Sequence, residues 1–279
     1  MTTADFPAPA EWSERIAAYL DGELAPEPAR LAATVVLLRD AGVGPTDVYL
    51  VKRATTMAFA AGRYAFPGGR VDPADADPAL ADAWAGPSPD AWAARFGCAV
   101  SDARALVGAA VRETFEETGV LFAGPSESSL VASTSGADWE ADRRALESRG
   151  SSLAELLARR SLVMRTDLLA AWSRWVTPEF EPRRYDTAFF VAALPPGQSA
   201  REVSGETEGT VWTPPAAAIA DFHAGRASML PPTLTTLQEV SEFGTAASAL
   251  AAASTRPLEP IMADVARRAD GSFALIWPS

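Results

Sequence analysis

Three glutamates fall within five consecutive positions of the segment RETFEETGV, which runs from Arg112 to Val120. In a helix, Glu113, Glu116 and Glu117 stand at positions i, i+3 and i+4 and therefore share one face. Like charges at this spacing destabilise a helix, and one neighbouring cation, Arg112, does not balance three anions. Two interpretations follow: a solvated acidic stripe, or oxygen ligands for a hard divalent cation such as Mg²⁺ or Mn²⁺.

The sequence around these glutamates predicts one long helix and a sharp turn upstream of it. We expect the helix to begin near Ser101, a candidate N-cap, and to end at Gly119, a good residue for a helix C-terminus. The upstream segment TTMAFAAGRYAFPGGRVD contains Pro67, Gly68 and Gly69 in succession, a combination that strongly predicts a turn.

Length and composition exclude several classes of protein. The chain has 279 residues, enough for one large domain or for a domain with an appendage. No apolar run approaches the roughly 18 residues of a membrane span, and the first residues do not resemble a signal peptide. A single cysteine, Cys98, excludes an internal disulfide. We therefore expect a cytoplasmic protein that does not bind a membrane.

Charge and histidine content narrow the function further. The net charge of −12 argues against general nucleic-acid binding, which requires a basic surface. The single histidine, His223, lies in the polar segment DFHAGRAS without a nucleophile motif nearby. We expect a surface or structural histidine there, rather than a member of a Ser-His-Asp triad.

The order of elements predicts an α/β (α+β) sandwich. Segments 31–40, 47–54, 171–178, 183–194 and 206–213 are typical of strands, because they are apolar runs bounded by turn residues. We expect helices in segments 11–20, 137–149, 152–160, 214–225 and 231–253. The final segment, 260–278, has the pattern of a hairpin.

These elements suggest three parts. Residues 1–30 form an N-terminal helix and connector, residues 31–253 form the main domain, and residues 254–279 form a C-terminal hairpin extension. Residues 73–98 are rich in Ala, Asp, Pro and Trp and lack a strand signal, and we place a helical insertion at about 76–105.

The pair FPGGRVD and RETFEETGV resembles the signature of the Nudix hydrolases. That signature reads Gly, five residues, Glu, seven residues and then R-E-U-x-E-E-x-G-U, where U is aliphatic. The matching residues here are Gly69, Arg112, Glu113, Glu116, Glu117, Gly119 and Val120. The resemblance implies a Nudix fold, with a mixed central sheet between helices.

Three departures from the signature are present, and the longest of them, an insertion, points to one branch of the family. Asp75 replaces the first Glu, Thr114 replaces an aliphatic residue, and 36 residues separate Asp75 from Arg112 where the family has seven. A longer loop is tolerated, because its closure cost grows only logarithmically with length. The interrupted signature and the segment WVTPEFEPRRYDTAFFVAAL resemble the coenzyme A diphosphatase-like branch.

A coenzyme A signature of the wider family is partly present before the turn. Leu50, Arg53, Ala54, Gly62 and the segment 66–69 fit its spacing, whereas Ala58 stands where the signature has Arg. The substrate implied is a small molecule with a diphosphate, namely coenzyme A or acyl-CoA. A nucleotide-sugar or dinucleotide diphosphatase, and a non-catalytic ligand-binding module, are the alternatives.

The resemblance also implies roles for individual residues. The metal ligands would be Gly69, through its carbonyl, and the glutamates Glu113, Glu116 and Glu117, which would hold Mg²⁺ or Mn²⁺. The catalytic group would comprise Glu113, Glu116, Arg112 as the residue that orients a glutamate, and Glu206 as a further acid, with Glu208 as the other candidate.

Other residues could bind the substrate or brace the turn. Arg53, Arg63 and Arg70 surround the Gly-Gly turn and could bind phosphate groups, with Arg183 and Arg184 as a second option. Further interpretations concern Asp72 and Asp75 as braces of the turn, and Trp84 and Trp92 as the lining of a groove for pantetheine or an acyl chain. A homodimer is compatible with the sequence.

Overall fold

The computed structural model describes residues 5–8, 12–42, 45–55, 61–203 and 207–277. Its strands are β1 (Asp5–Pro7), β2 (Arg30–Arg39), β3 (Asp47–Arg53), β4 (Tyr64–Ala65), β5 (Gly68–Arg70), β6 (Trp84–Ala85), β7 (Ala123–Gly124), β8 (Val163–Arg165), β9 (Leu169–Val176), β10 (Tyr185–Ala193), β11 (Thr207–Thr213), β12 (Pro260–Ile261), β13 (Asp264–Arg267) and β14 (Phe273–Ile276). Its α-helices are α1 (Ser13–Leu20), α2 (Pro89–Phe96), α3 (Val100–Thr118), α4 (Ala137–Glu147), α5 (Leu153–Arg160), α6 (Pro215–His223), α7 (Pro231–Val240) and α8 (Ala246–Ala253).

A mixed sheet forms the centre of the molecule. Its main strands run in the order β11-β3-β2-β10-β9-β12, with β4 paired to β3 and β5 paired to β2. Strands β2 and β10 are parallel, whereas β10 and β9 are antiparallel. The continuous apolar run of β2 is explained by this position, because both faces of a central strand are covered.

Helices cover both faces of the sheet. On one face, Val35 and Leu37 of β2 share a core cluster with Val107 and Val111 of α3. On the other face, Val36 and Leu38 share a second cluster with residues of α7 and α8. The predicted α/β sandwich, with a mixed sheet between helices, is confirmed.

Helix α3 carries the three glutamates and differs slightly from the prediction. It begins at Val100, with Ala99 as its N-cap, so Ser101 lies inside the first turn and does not cap it. It ends as predicted at Gly119, whose φ of +73° is the left-handed conformation that glycine adopts without strain.

The segment predicted as an insertion contributes to the main core. Leu80, Trp92 and Phe96 are buried there, and the Trp92 ring stacks on Phe96 and meets Phe190 edge to face. Trp92 therefore packs in the protein interior, and the interpretation of this side chain as a wall of the substrate groove is wrong. The other tryptophan, Trp84, is half-buried and its ring nitrogen donates to the Pro87 carbonyl.

The chain ends form a second, smaller sheet. Strand β14 lies between β1 and β13, so residues near the N-terminus pair with the predicted C-terminal hairpin. The buried Ile16 of α1 shares a third core cluster with Phe180, Phe273 and Leu275. The divisions of the chain at residues 30 and 253 stay a prediction.

Two further features complete the architecture. The helix predicted for 231–253 is two helices, α7 and α8, and the side chain of Thr245 caps the second one. His223 is exposed at the last position of α6, where a surface histidine was expected. No helix in the described part of the chain is long and apolar enough to cross a membrane.

Candidate active site

The Gly-Gly turn lies against the centre of the sheet. Gly69 pairs with Ala33 of β2, and Gly68 pairs with Thr34. Gly68 has a φ of +152°, and a Cβ at this position would collide with the Ala33 carbonyl oxygen. Only glycine fits this backbone, so the close approach of β5 to β2 depends on the residue type at position 68.

Two of the three glutamates contact this turn. The Gly68 amide donates a hydrogen bond of 3.0 Å to Oε2 of Glu117. A Cβ at position 69 would lie 2.6 Å from the carboxyl carbon and both carboxylate oxygens of Glu113. The turn and the acidic face of α3 are therefore in direct contact, although the whole of the predicted insertion separates them in the chain.

Arg112 holds the acidic face to the turn. Its Nε and Nη2 each lie 2.8 Å from one carboxylate oxygen of Asp75, and this bidentate pair is geometrically the strongest form of the interaction. Its Nη1 lies 2.8 Å from Glu113 and 3.2 Å from Glu116. Nη2 also donates to the Arg70 carbonyl. Arg112 thus contacts both glutamates for which a catalytic role was predicted.

Asp75 performs the bracing role that the sequence suggested. Its side chain is 1% exposed, and it accepts a hydrogen bond from the Asp72 amide while Asp72 accepts one from Ala74. These two bonds form a capping box at the start of a 3₁₀ turn. The Asp in place of the family's Glu is therefore bound to Arg112 and to the turn.

Burial and charge shift the proton equilibria of this cluster. Burial raises the pKa of Glu116 to about 7, and the negative charge of Glu113 adds to this effect while Arg112 opposes it. Burial alone would lower the pKa of Arg112, but Asp75, Glu113 and Glu116 reverse the effect and raise it. Arg112 therefore does not fully offset the burial of the Glu116 carboxylate.

A second arginine that the sequence analysis missed supports the end of α3. Arg143 of α4 is 2% exposed, and its Nη1 donates a 2.8 Å hydrogen bond to the Glu116 backbone carbonyl. Glu140 and Glu147 bind its guanidinium from positions i−3 and i+4. That spacing was visible in the sequence, but the contact with Glu116 depends on how α4 packs against α3.

Thr114, the other departure from the signature, is explained by the core. Its side chain is fully buried, and its hydroxyl donates to the Ala110 carbonyl at 2.7 Å. The hydroxyl is satisfied within the helix, so the methyl group can pack where the family has an aliphatic residue.

A single cleft of about 1080 Å³ contains most of the predicted site residues. Its lining includes the turn and the acidic face of α3, together with the three arginines proposed for phosphate binding: Gly69, Arg112, Glu113, Glu116, Glu117, Arg53, Arg63 and Arg70. The structure thus brings together groups from β3, β5 and α3 at the same surface.

The remaining candidates are not among the described residues that line the cleft. Glu206 and Ala58 are outside the described residues. Glu208 accepts hydrogen bonds from the amide and hydroxyl of Thr55 and does not belong to the described lining of the cleft. Arg184 donates to the backbone carbonyls of Glu27 and Thr177, which gives it a structural role.

The chemistry of these side chains and of the turn suits a hard divalent cation. Three carboxylates and the Gly69 backbone form an oxygen-only donor set of the kind that Mg²⁺ and Mn²⁺ prefer. Within the described residues, no three acidic, His or Cys side chains are already spaced as a metal site. The reason is visible in the contacts, since Arg112 engages Glu113 and Glu116 while Gly68 engages Glu117.

Replacement of Gly69 by alanine tests the contact between the turn and Glu113. We expect at least a tenfold loss of kcat with little change in thermal stability, because the new methyl group displaces a carboxylate at the end of a flexible side chain. The matched variant Gly68→Ala meets backbone atoms and should instead destabilise the fold. Thermal unfolding and turnover of both variants check this, and wild-type turnover in Gly69→Ala would contradict it.

Comparison with known proteins places the residues of this site in a known family. A model of the NUDT19 Nudix domain matches residues 29–240. The acyl-coenzyme A diphosphatase NUDT19 of Xenopus laevis is 23% identical over 228 residues, covering 71% of this chain and 60% of the relative. Its counterpart in Gallus gallus is 30% identical over 172 residues, covering 54% of this chain and 44% of the relative. The chain thus spans about three fifths or less of these relatives.

A solved structure extends the similarity to the fold. The crystal structure of a Nudix hydrolase from Alicyclobacillus acidocaldarius superposes with a TM-score of 0.70 at 30% identity, covering 84% of this chain and 99% of that one. The family model covers most of the chain, and the matched region contains the complete acidic face of α3. This protein therefore belongs to the Nudix hydrolase family, in its coenzyme A diphosphatase-like branch.

Proposed function

We propose that this chain hydrolyses the diphosphate of coenzyme A or acyl-CoA to 3′,5′-ADP and (acyl-)4′-phosphopantetheine. One observation carries the proposal: the carboxylates of α3 and three arginines in or beside the partial coenzyme A signature line the same cleft. The relatives from Xenopus laevis and Gallus gallus, which are named acyl-coenzyme A diphosphatases, support it.

Glu113, Glu116 and Glu117, with the Gly69 carbonyl, would hold Mg²⁺ or Mn²⁺. Such an ion, when bound, would neutralise diphosphate charge and make water a better nucleophile. Arg112 acts as a positioning residue, because it fixes Glu113 and Glu116 relative to the turn through Asp75. Arg143 keeps the backbone of Glu116 in place through its hydrogen bond to the Glu116 carbonyl.

The reaction requires few groups beyond these. A water oxygen bonds to one phosphorus, and the bond from that phosphorus to the bridging oxygen breaks, so that each product carries a terminal phosphate. Glu113 and Glu116 are the proposed catalytic acids of α3, and Glu206 is proposed as a further acid. Arg53, Arg63 and Arg70 would bind phosphate oxygens, for which guanidinium groups are well shaped.

A panel of diphosphate substrates tests the assignment. We expect the highest kcat/KM with coenzyme A or acyl-CoA in the presence of Mg²⁺ or Mn²⁺, with products identified by mass. Dephospho-coenzyme A should be at least about tenfold poorer, because a cationic pocket would lose its phosphate. Equal rates with the two compounds would exclude a 3′-phosphate site. Faster cleavage of ADP-ribose, a nucleotide sugar or a dinucleotide would assign the protein to another diphosphate.

A further inference from the structure

The chain ends supply one wall of the cleft. Trp12 comes from the segment before α1, and Leu275 and Trp277 come from the end of the C-terminal hairpin. Trp175 of β9 completes the wall, and its ring meets that of Trp277 edge to face at 5.5 Å between centroids. We call Trp12, Trp175 and Trp277 the aromatic wall. Trp12 and Trp277 lie outside residues 29–240, which the family model matches.

The aromatic wall is held in place by contacts with the loop after β9. Trp12 packs on Phe180, with 5.6 Å between ring centroids. Arg15 forms a 3.0 Å salt bridge with Glu181. These contacts join the segment of Trp12 to the loop after β9 at the edge of the cleft, where Arg15 and Glu181 also belong to the lining.

The sheet register places the aromatic wall relative to the turn. Arg70 pairs with Ala32, Ala32 pairs with Thr187, and Thr187 pairs with Trp175. Each step between neighbouring strands is about 4.8 Å, so the row from Arg70 to Trp175 spans about 14 Å. Trp277 contacts Trp175 at the end of this row.

The two ends of the cleft lie on opposite sides of the turn. Strand β3 lies on one side of β2, and β10 and β9 lie on the other. Arg53 and Arg63 belong to the β3 side, where the Arg53 amide donates to the Arg63 carbonyl at 3.0 Å. The cleft therefore has a cationic end, a central group of carboxylates and an aromatic end.

A diphosphate with one charged and one long apolar arm matches this order. The pantetheine arm has about twelve backbone atoms between its phosphate oxygen and its sulfur, equivalent to about four residues of extended chain, or about 14 Å. This length matches the backbone span from Arg70 to Trp175. Because Trp175 is only 6% exposed and Trp277 and Trp12 are half-buried, the latter two offer the accessible part of the wall to an acyl chain on the sulfur.

We propose that Trp277 and Trp12 of the aromatic wall bind the acyl chain attached to the pantetheine sulfur. The proposal rests on the proposed function and adds the residues that would contact the acyl chain. Tryptophan suits this role, because it offers a large rigid apolar face at low cost in conformational entropy.

Substitutions of Trp277 and Trp12 by alanine test the proposal. We expect each to raise KM for octanoyl-CoA about fivefold or more, because apolar contact with the acyl chain is lost. KM for coenzyme A should change less than about twofold, and kcat should be unchanged with both substrates. Trp277→Phe, which keeps an apolar ring, should restore most of the affinity for octanoyl-CoA.

The matched control is Trp84→Ala, which removes a half-buried tryptophan outside the described lining of the cleft. It should leave both KM values unchanged. If KM for octanoyl-CoA rises no more in Trp277→Ala and Trp12→Ala than in this control, or rises equally for coenzyme A, the proposal is overturned.

Calorimetry of octanoyl-CoA binding tests the aromatic wall separately from the proposed function, because binding can be measured without turnover. Binding that weakens in Trp277→Ala supports the aromatic wall even if the wild-type protein hydrolyses neither compound, an outcome that would reject only the proposed function. If the protein hydrolyses coenzyme A but its affinity for octanoyl-CoA is the same in Trp277→Ala and Trp12→Ala as in the wild type, only the aromatic wall is rejected. No binding and no turnover would reject both.

Discussion

Replacement of Glu116 or Glu117 by glutamine should lower kcat by about two to three orders of magnitude while the fold remains intact. Each substitution keeps the shape of the side chain but removes an anionic oxygen from the proposed cation site, and loss of several kcal/mol of transition-state stabilisation has this effect. In Glu117→Gln the Gly68 amide can still donate to the side-chain carbonyl oxygen, so the turn should stay in place. Turnover at limiting and saturating Mg²⁺ measures the effect.

Glu181→Gln is the control for these two variants. Glu181 lines the same cleft but pairs with Arg15 and lies outside α3. We expect it to retain more than about half of the wild-type kcat, since Glu181 pairs with Arg15 and has no proposed role in holding the cation. Near-wild-type turnover of Glu116→Gln or Glu117→Gln at limiting Mg²⁺ would show that α3 is an acidic stripe without a role in metal binding.

Replacement of Arg112 by alanine should have the largest effect on stability, about 3–5 kcal/mol in the free energy of unfolding. Asp75 is 1% exposed and would lose a bidentate partner, which leaves an uncompensated charge in the protein interior. Glu113 and Glu116 would lose the same cation. Urea unfolding at pH 7 measures the change, and activity should fall with it.

Two further variants isolate the cause. Arg174→Ala breaks a similar bidentate pair, but its partner Asp186 is 17% exposed and can be solvated, so a smaller loss of stability is expected. The double variant Arg112→Met with Asp75→Leu removes both buried charges and should recover much of the stability without recovering activity. A stability of Arg112→Ala equal to that of Arg174→Ala would contradict the argument.

The acidic face and the turn could be predicted because their signals are local. Three glutamates at helical spacing, a glycine at the helix end and two glycines at a turn each act within a few residues. The strand pattern was equally direct in β2, whose apolar run reflects burial on both faces. These local signals are sufficient to predict most residues of the candidate site from the sequence.

Contacts between distant segments could not be predicted in this way. The hydrogen bond from Arg143 to the backbone of Glu116 depends on the packing of α4 against α3, and side-chain pattern alone gives no partner for it. Trp92 shows the opposite kind of error. The sequence of its segment is typical of a surface insertion, but its ring packs against Phe190 in the core. The contribution of Trp12 and Trp277 to the cleft likewise depends on pairing between the two ends of the chain.

The pairing of β1 with β14 has a consequence for the order of folding during synthesis. Residues 5–7 are synthesised before the central sheet, whereas their partners at 274–276 are synthesised after it. The central sheet and α3 can assemble while residues 5–7 still lack these partners, and the small sheet must then close a loop that contains the whole central sheet. The nascent protein would therefore acquire its acidic face before its aromatic wall, and ligands of the wall should bind only to chains that extend past Trp277.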